Sequence, residues 1–128
     1  MPLEAGSPEA WLRYAEADLQ MARIPLPTGG LYEQLCFHAQ QAIEKSIKAV
    51  LIREGVEVPR VHSIERLIDL LPVGVARTKE LVDAAQLTEY ATTFRYPGEA
   101  EPTTEEDYRE ALGLSEAVFA WASARINS

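Results

Sequence analysis

The stretch Leu35–Ile52, "LCFHAQQAIEKSIKAVLI", decides the fold. It holds neither proline nor glycine, and at about 100° per residue its letters sort into faces. Leu35, Cys36, Ala39, Ala42, Ile43, Ile47, Ala49 and Val50 fall in one broad arc, with Ser46 inside it. That arc is the buried face of an amphipathic helix, and its small residues let neighbouring helices come close. His38, Gln41, Lys45 and Lys48, at i, i+3, i+7 and i+10, lie together on the other side. They form either a solvated stripe or a polar surface for a ligand. Phe37, Leu51 and Ile52 fall outside the core arc, so the helix carries more apolar surface than one core face uses.

Breakers on both sides divide the rest of the chain. Upstream, Ser7 is placed to cap a first helix with Pro8 at its first position, where the missing amide hydrogen costs nothing. That helix should run to about Arg23 and stop at "PLPTGG". The central helix then extends from about Leu31 to Glu54, ended by Gly55. Downstream, a short third helix should begin near His62 or Ser63 and end before Pro72, and a fourth should run from the Thr78 cap to "RYPG". A fifth begins at "TTEED", where Thr103 and Glu106 have capping-box spacing, and continues toward Arg125. No segment alternates as a strand would. The expected architecture is all-α, an antiparallel up-and-down bundle of four to five helices forming one domain over residues 1–128.

The last helix repeats the surplus of the central one. Tyr108, Ala111, Leu112, Ser115, Phe119, Ala122 and Ile126 make a core stripe, and Leu114, Val118 and Trp121 make a second at i, i+4 and i+7. A helix with two apolar faces is central in its bundle or covered by another subunit. The reading adopted is homodimerisation, with Phe37, Leu51, Ile52, Leu114, Val118 and Trp121 as the dimer or partner face.

A formal charge of −8 argues against general nucleic-acid binding, which draws its affinity from cations on the phosphate chain. The negative charge is concentrated after Glu99, which leaves room for a local basic surface on the earlier helices. A single cysteine excludes an internal disulfide and a cysteine-rich metal cluster. With no basic, apolar leader in the opening residues and no long uncharged apolar run, a cytoplasmic protein that does not enter the membrane is expected.

Motifs for chemistry are sparse. His38 and His62 are the two histidines, and neither has a ligand partner at i+3 or i+4, so no metal or cofactor is expected. Cys36 sits on the core face, and "PTGG" is not a phosphate-binding loop. His62 reads as a helix-start residue, and the acids at Glu105, Glu106 and Asp107 suit the positive end of a helix dipole. Arg95, between Phe94 and "YPG", either completes the last carbonyls of its helix or holds a phosphate with Tyr96 beside it.

"CFHAQQAIEKSIKAVLI", then "HSIERLIDLL", then "RYPG" resemble the HEPN domain, the higher eukaryote and prokaryote nucleotide-binding family, in that order and over most of the chain. The resemblance implies a helical bundle, usually homodimeric, in small prokaryotic proteins that often accompany a minimal nucleotidyltransferase in toxin–antitoxin-like pairs. Other branches are metal-independent ribonucleases with an arginine followed after four to six residues by a histidine. Here "YPGEAEPT" follows Arg95 without a histidine, and Arg53 stands too far before His62. The expectation is therefore no catalytic residues and a non-catalytic accessory protein. Its ligand-binding candidates are His38, Gln41, Lys45, Lys48, Arg95 and Tyr96, its ligand a nucleotide and its partner a nucleotidyltransferase. An endoribonuclease with an atypical site and a purely structural dimer are the alternatives.

Overall fold

The computed structural model describes residues 5–87 and 103–128. Five helices lie within them: α1 (Pro8–Ala22), α2 (Tyr32–Arg53), α3 (Ile64–Asp69), α4 (Lys79–Ala85) and α5 (Glu105–Ile126). The described residues contain no strand segment.

The ends follow side-chain chemistry. Ser7 Oγ accepts from the Ala10 amide at 3.1 Å, and Pro8 opens α1. Ser63 and Thr78 cap α3 and α4 in the same way. At the end of α2, Gly55 takes φ +79°, a left-handed turn that glycine enters without steric cost. Two expectations shift. The capping box of α5 uses Thr104 and Asp107, one residue later than Thr103 and Glu106: Thr104 Oγ1 accepts from the Asp107 amide at 3.1 Å, and Asp107 Oδ2 accepts from the Thr104 amide at 3.0 Å. The helix expected to run from Thr78 to "RYPG" instead closes at Ala85, with Gln86 as its C-cap and a turn at Gln86 and Leu87, and the remainder of that span, 88–98, lies outside the described residues.

α2 is the spine. α1 and α5 both pack along it, α3 packs on it, and α4 bridges α3 and α5. Side chains at the helix ends fix the directions. Tyr108 at the start of α5 stacks on Tyr32 at the start of α2, with ring centroids 5.5 Å apart, while Arg125 near the end of α5 approaches Glu54 just past α2 at 3.9 Å. α5 therefore runs parallel to α2. α1 runs antiparallel to both, because the Tyr108 hydroxyl donates to the Ala22 carbonyl at 2.6 Å.

The core explains the apolar surplus. All the residues assigned to the α2 core arc are buried, and so is Leu51, at 0% exposure. Val118 is likewise at 0% exposure, on the buried face of α5 with Ala111, Ser115 and Ala122. Leu51 and Val118 thus belong to the core of a single chain and leave the partner face to which the sequence assigned them. The physical reason is the central position of α2, which needs apolar contacts on more than one face. Ile52, Leu114 and Trp121 are half-buried against the same core, and Phe37 is 42% exposed.

Candidate functional site

The polar stripe of α2 divides between two carboxylates. His38 Nδ1 lies 3.1 Å from Asp18 Oδ1, and Lys45 Nζ donates to Asp18 Oδ2 at 2.5 Å. One acid of α1 thus bridges two turns of α2. Lys48, expected beside them, instead faces inward at 2% exposure, with Nζ 3.4 Å from Glu44 Oε1 and 5.4 Å from the Trp11 ring. Gln41, between the two arrangements in sequence, is half-buried. Arg95 and Tyr96 lie outside the described residues.

Glu44 is 3% exposed and accepts a second contact, from His62 Nδ1 at 2.7 Å. A carboxylate taken out of water at this depth needs cationic or donor partners, and Lys48 and His62 supply them. Both histidines therefore share one construction: a carboxylate, itself paired with a lysine of α2, holds Nδ1. With Nδ1–H donating to an acid, the outer nitrogen Nε2 carries whatever further bond the ring makes. The His62 side chain is 70% exposed, whereas that of His38 is 32% exposed and stands edge-on to Phe37.

Asp18 and Glu44 are the residues that the sequence reading missed. The signal for each is positional. Asp18 stands three residues after Ala15 and four before Ala22, on the border of the buried face of α1, and Glu44 stands three before Ile47. Asp18 on that border faces α2 and meets its His38 and Lys45, whereas Glu44 meets Lys48 one turn on along its own helix and His62 from the chain before α3.

Cys36 is not a nucleophile in this setting. Burial, reinforced by the Asp107 and Glu33 carboxylates, pushes its thiol from the usual 9.0 up to about 11, so it stays protonated near neutrality. Among the described residues no three histidine, cysteine or carboxylate side chains are grouped to hold a metal ion, and no helix is long and apolar enough to cross a membrane.

The model of the HEPN domain matches residues 8–126, from the first residue of α1 to the last of α5. The chain belongs to the HEPN family. Among solved structures, the HEPN fold recurs in ST0689, described as an archaeal HEPN homologue. It is 34% identical, with a TM-score of 0.73 over 95% of this chain and 99% of the other. The protein TT1696 of Thermus thermophilus is also 34% identical, with a TM-score of 0.78 over 91% of this chain and 96% of that one. A shorter similarity, 41% identity over 46 residues, links the chain to "Putative toxin MJ1304" of Methanocaldococcus jannaschii. It covers 36% of this chain and 30% of that protein.

Proposed function

We propose that this HEPN protein is a non-catalytic accessory chain of a toxin–antitoxin-like pair, acting through association with a minimal nucleotidyltransferase. The observation that carries the reading is the fate of its histidines. Neither follows an arginine by the four-to-six-residue interval of the ribonuclease branches, and each is tied through Nδ1 to a carboxylate that also neutralises a lysine. On α2, Lys45 and Lys48 are engaged with Asp18 and Glu44, so the stripe stabilises the bundle and is a poor receptor for a nucleotide phosphate. The nucleotide, if the pair binds one, then belongs to the nucleotidyltransferase or to the joint between the two chains. Phe37, Ile52, Leu114 and Trp121 supply apolar contact for that partner. The similarity to a relative named as a toxin supports the pairing. The test is co-expression with the nucleotidyltransferase encoded nearest to it, followed by size-exclusion chromatography with light scattering. A stoichiometric complex is expected, and separate elution of the two chains at micromolar concentration counts against the reading.

One observation favours a second reading, an atypical metal-independent endoribonuclease. Glu44 orients His62 as a carboxylate orients a catalytic imidazole, with Nε2 on the solvent side. RNA cleavage by the purified chain, abolished in His62→Ala and unaffected by chelators, would establish it. No cleavage by the wild type removes it.

A further inference from the structure

His62 joins exposure to a fixed orientation, and His38 does not. The His62 side chain is 70% exposed, yet its Nδ1 lies 2.7 Å from Glu44 Oε1, and Glu44 is 3% exposed. His38 makes the corresponding contact at 3.1 Å to the shallower Asp18, its own side chain is 32% exposed, and Phe37 stands edge-on to its ring. An imidazole held at Nδ1 by an acid keeps its proton there, so the lone pair of the neutral ring sits on Nε2. At His62 that nitrogen is on the solvent side. Beneath it the charges are arranged in depth. Lys48, also 3% exposed, supplies counter-charge to Glu44 from 3.4 Å under the Trp11 ring, and Glu44 supplies it to any positive charge that develops on the imidazole.

We propose that His62 is a phosphoryl acceptor: Nε2 takes a phosphoryl group from a donor with a labile phosphorus–nitrogen bond, and Glu44 is the positioning residue. The Nε2 lone pair forms the new bond to phosphorus. The phosphorus–nitrogen bond of the donor breaks, and its protonated nitrogen leaves as a neutral amine with the electron pair of that bond. His62 gives up no proton in this step. Nδ1–H stays on Glu44, and the positive charge left on the ring faces a carboxylate screened from water, which a pre-placed acid stabilises most where the charge develops.

The neighbouring cations favour a phosphoryl group over an uncharged electrophile. Arg60 stands two residues before His62 and Arg66 four after it, and both are exposed. Among the described residues neither guanidinium takes part in an ion pair. A phosphoryl group carries three acceptor oxygens suited to such forked donors. Neither a partner chain nor RNA is needed for this chemistry, so it stands apart from both readings given above.

The experiment treats the full-length chain with phosphoramidate and follows labelling in alkaline solution, where phosphohistidine survives, by peptide mass spectrometry and phosphorus NMR. His62 should be labelled at Nε2, at least about tenfold faster than His38 and than His62 of the same chain unfolded in concentrated urea. Unfolding increases access to the ring, so a faster reaction in the folded chain reports orientation by Glu44 and not exposure. Glu44→Gln, with its helices verified by circular dichroism, should lose most of the advantage, and His62→Ala should leave only the slow labelling of His38. The comparison of folded with unfolded wild type holds whether or not the variants fold. Equal rates for His62 in the folded and unfolded chain, faster labelling of His38, a product on Nδ1, or a folded Glu44→Gln as fast as the wild type overturns the proposal.

Discussion

Glu44 and Asp18 each accept contacts from a lysine and a histidine, and differ mainly in depth. The Glu44 side chain is 3% exposed, as is its partner Lys48, while Asp18 is 14% exposed with partners at 25% and 32%. Removing the acid from the deeper set leaves Lys48 buried without this counter-charge, and Glu44→Ala should cost about 3 kcal/mol. Asp18→Ala, relieved by solvent, should cost about 1 kcal/mol. Urea unfolding of the two variants measures the difference, and equal costs would mean that depth does not set the value of these pairs. Cys36 makes a separate prediction in alkaline solution. Its thiol is raised in the folded chain, so between pH 9 and about 11 the unfolded chain releases a proton that the folded chain keeps. Stability is then full below pH 9 and falls as pH rises through that window. Tyr108, raised by burial and by Cys36, Glu116 and Tyr32, adds to the loss in the same direction. Denaturation midpoints at pH 8 and pH 10.5 for the wild type and Cys36→Ser provide the check, with a smaller drop expected for the variant.

At the level of helices, the sequence states most starts well because caps act locally, but the stop of α4 at Ala85 comes well before the expected "RYPG". Ser7 and Thr78 cap the helices expected of them, Ser63 caps the helix expected to begin near His62 or Ser63, and Gly55 ends α2. The start of α5 was ambiguous for a simple reason: Thr103 and Thr104 are adjacent, and an acid follows each by three residues. Only the backbone distinguishes them, and it gives the bonds to Thr104 and Asp107. Thr104→Ala should therefore destabilise the protein by about 1 kcal/mol, and Thr103→Ala should stay within about 0.5 kcal/mol of the wild type. The reverse order in thermal unfolding would move the helix start back by one residue. Partners of the α2 stripe were not legible in the same way. Glu44 and Lys48 are an i,i+4 pair that the spacing does offer, but Lys45 meets Asp18 and Glu44 meets His62 because of where α1 and the chain before α3 lie.

For the whole molecule, the question is which apolar residues hold one chain together and which wait for another. Projection alone put Phe37, Leu51, Ile52, Leu114, Val118 and Trp121 in one class. Packing separates them, because α2 lies between α1 and α5 and spends apolar surface on both. Leu51 is fully enclosed, so Leu51→Ala removes buried methyl groups and opens a cavity, at a cost of about 2–5 kcal/mol. Phe37 is 42% exposed, with its ring edge-on to His38, and Phe37→Ser should leave stability within about 0.5 kcal/mol. The two variants should exchange order when the property measured is binding to the nucleotidyltransferase. Phe37→Ser then weakens the complex, while Leu51→Ala, at a temperature where it remains folded, binds as the wild type does. Calorimetric titration of folded variants against the partner separates these effects. Tight binding by Phe37→Ser would place the contact surface elsewhere and leave Phe37 as a solvent-facing residue of α2.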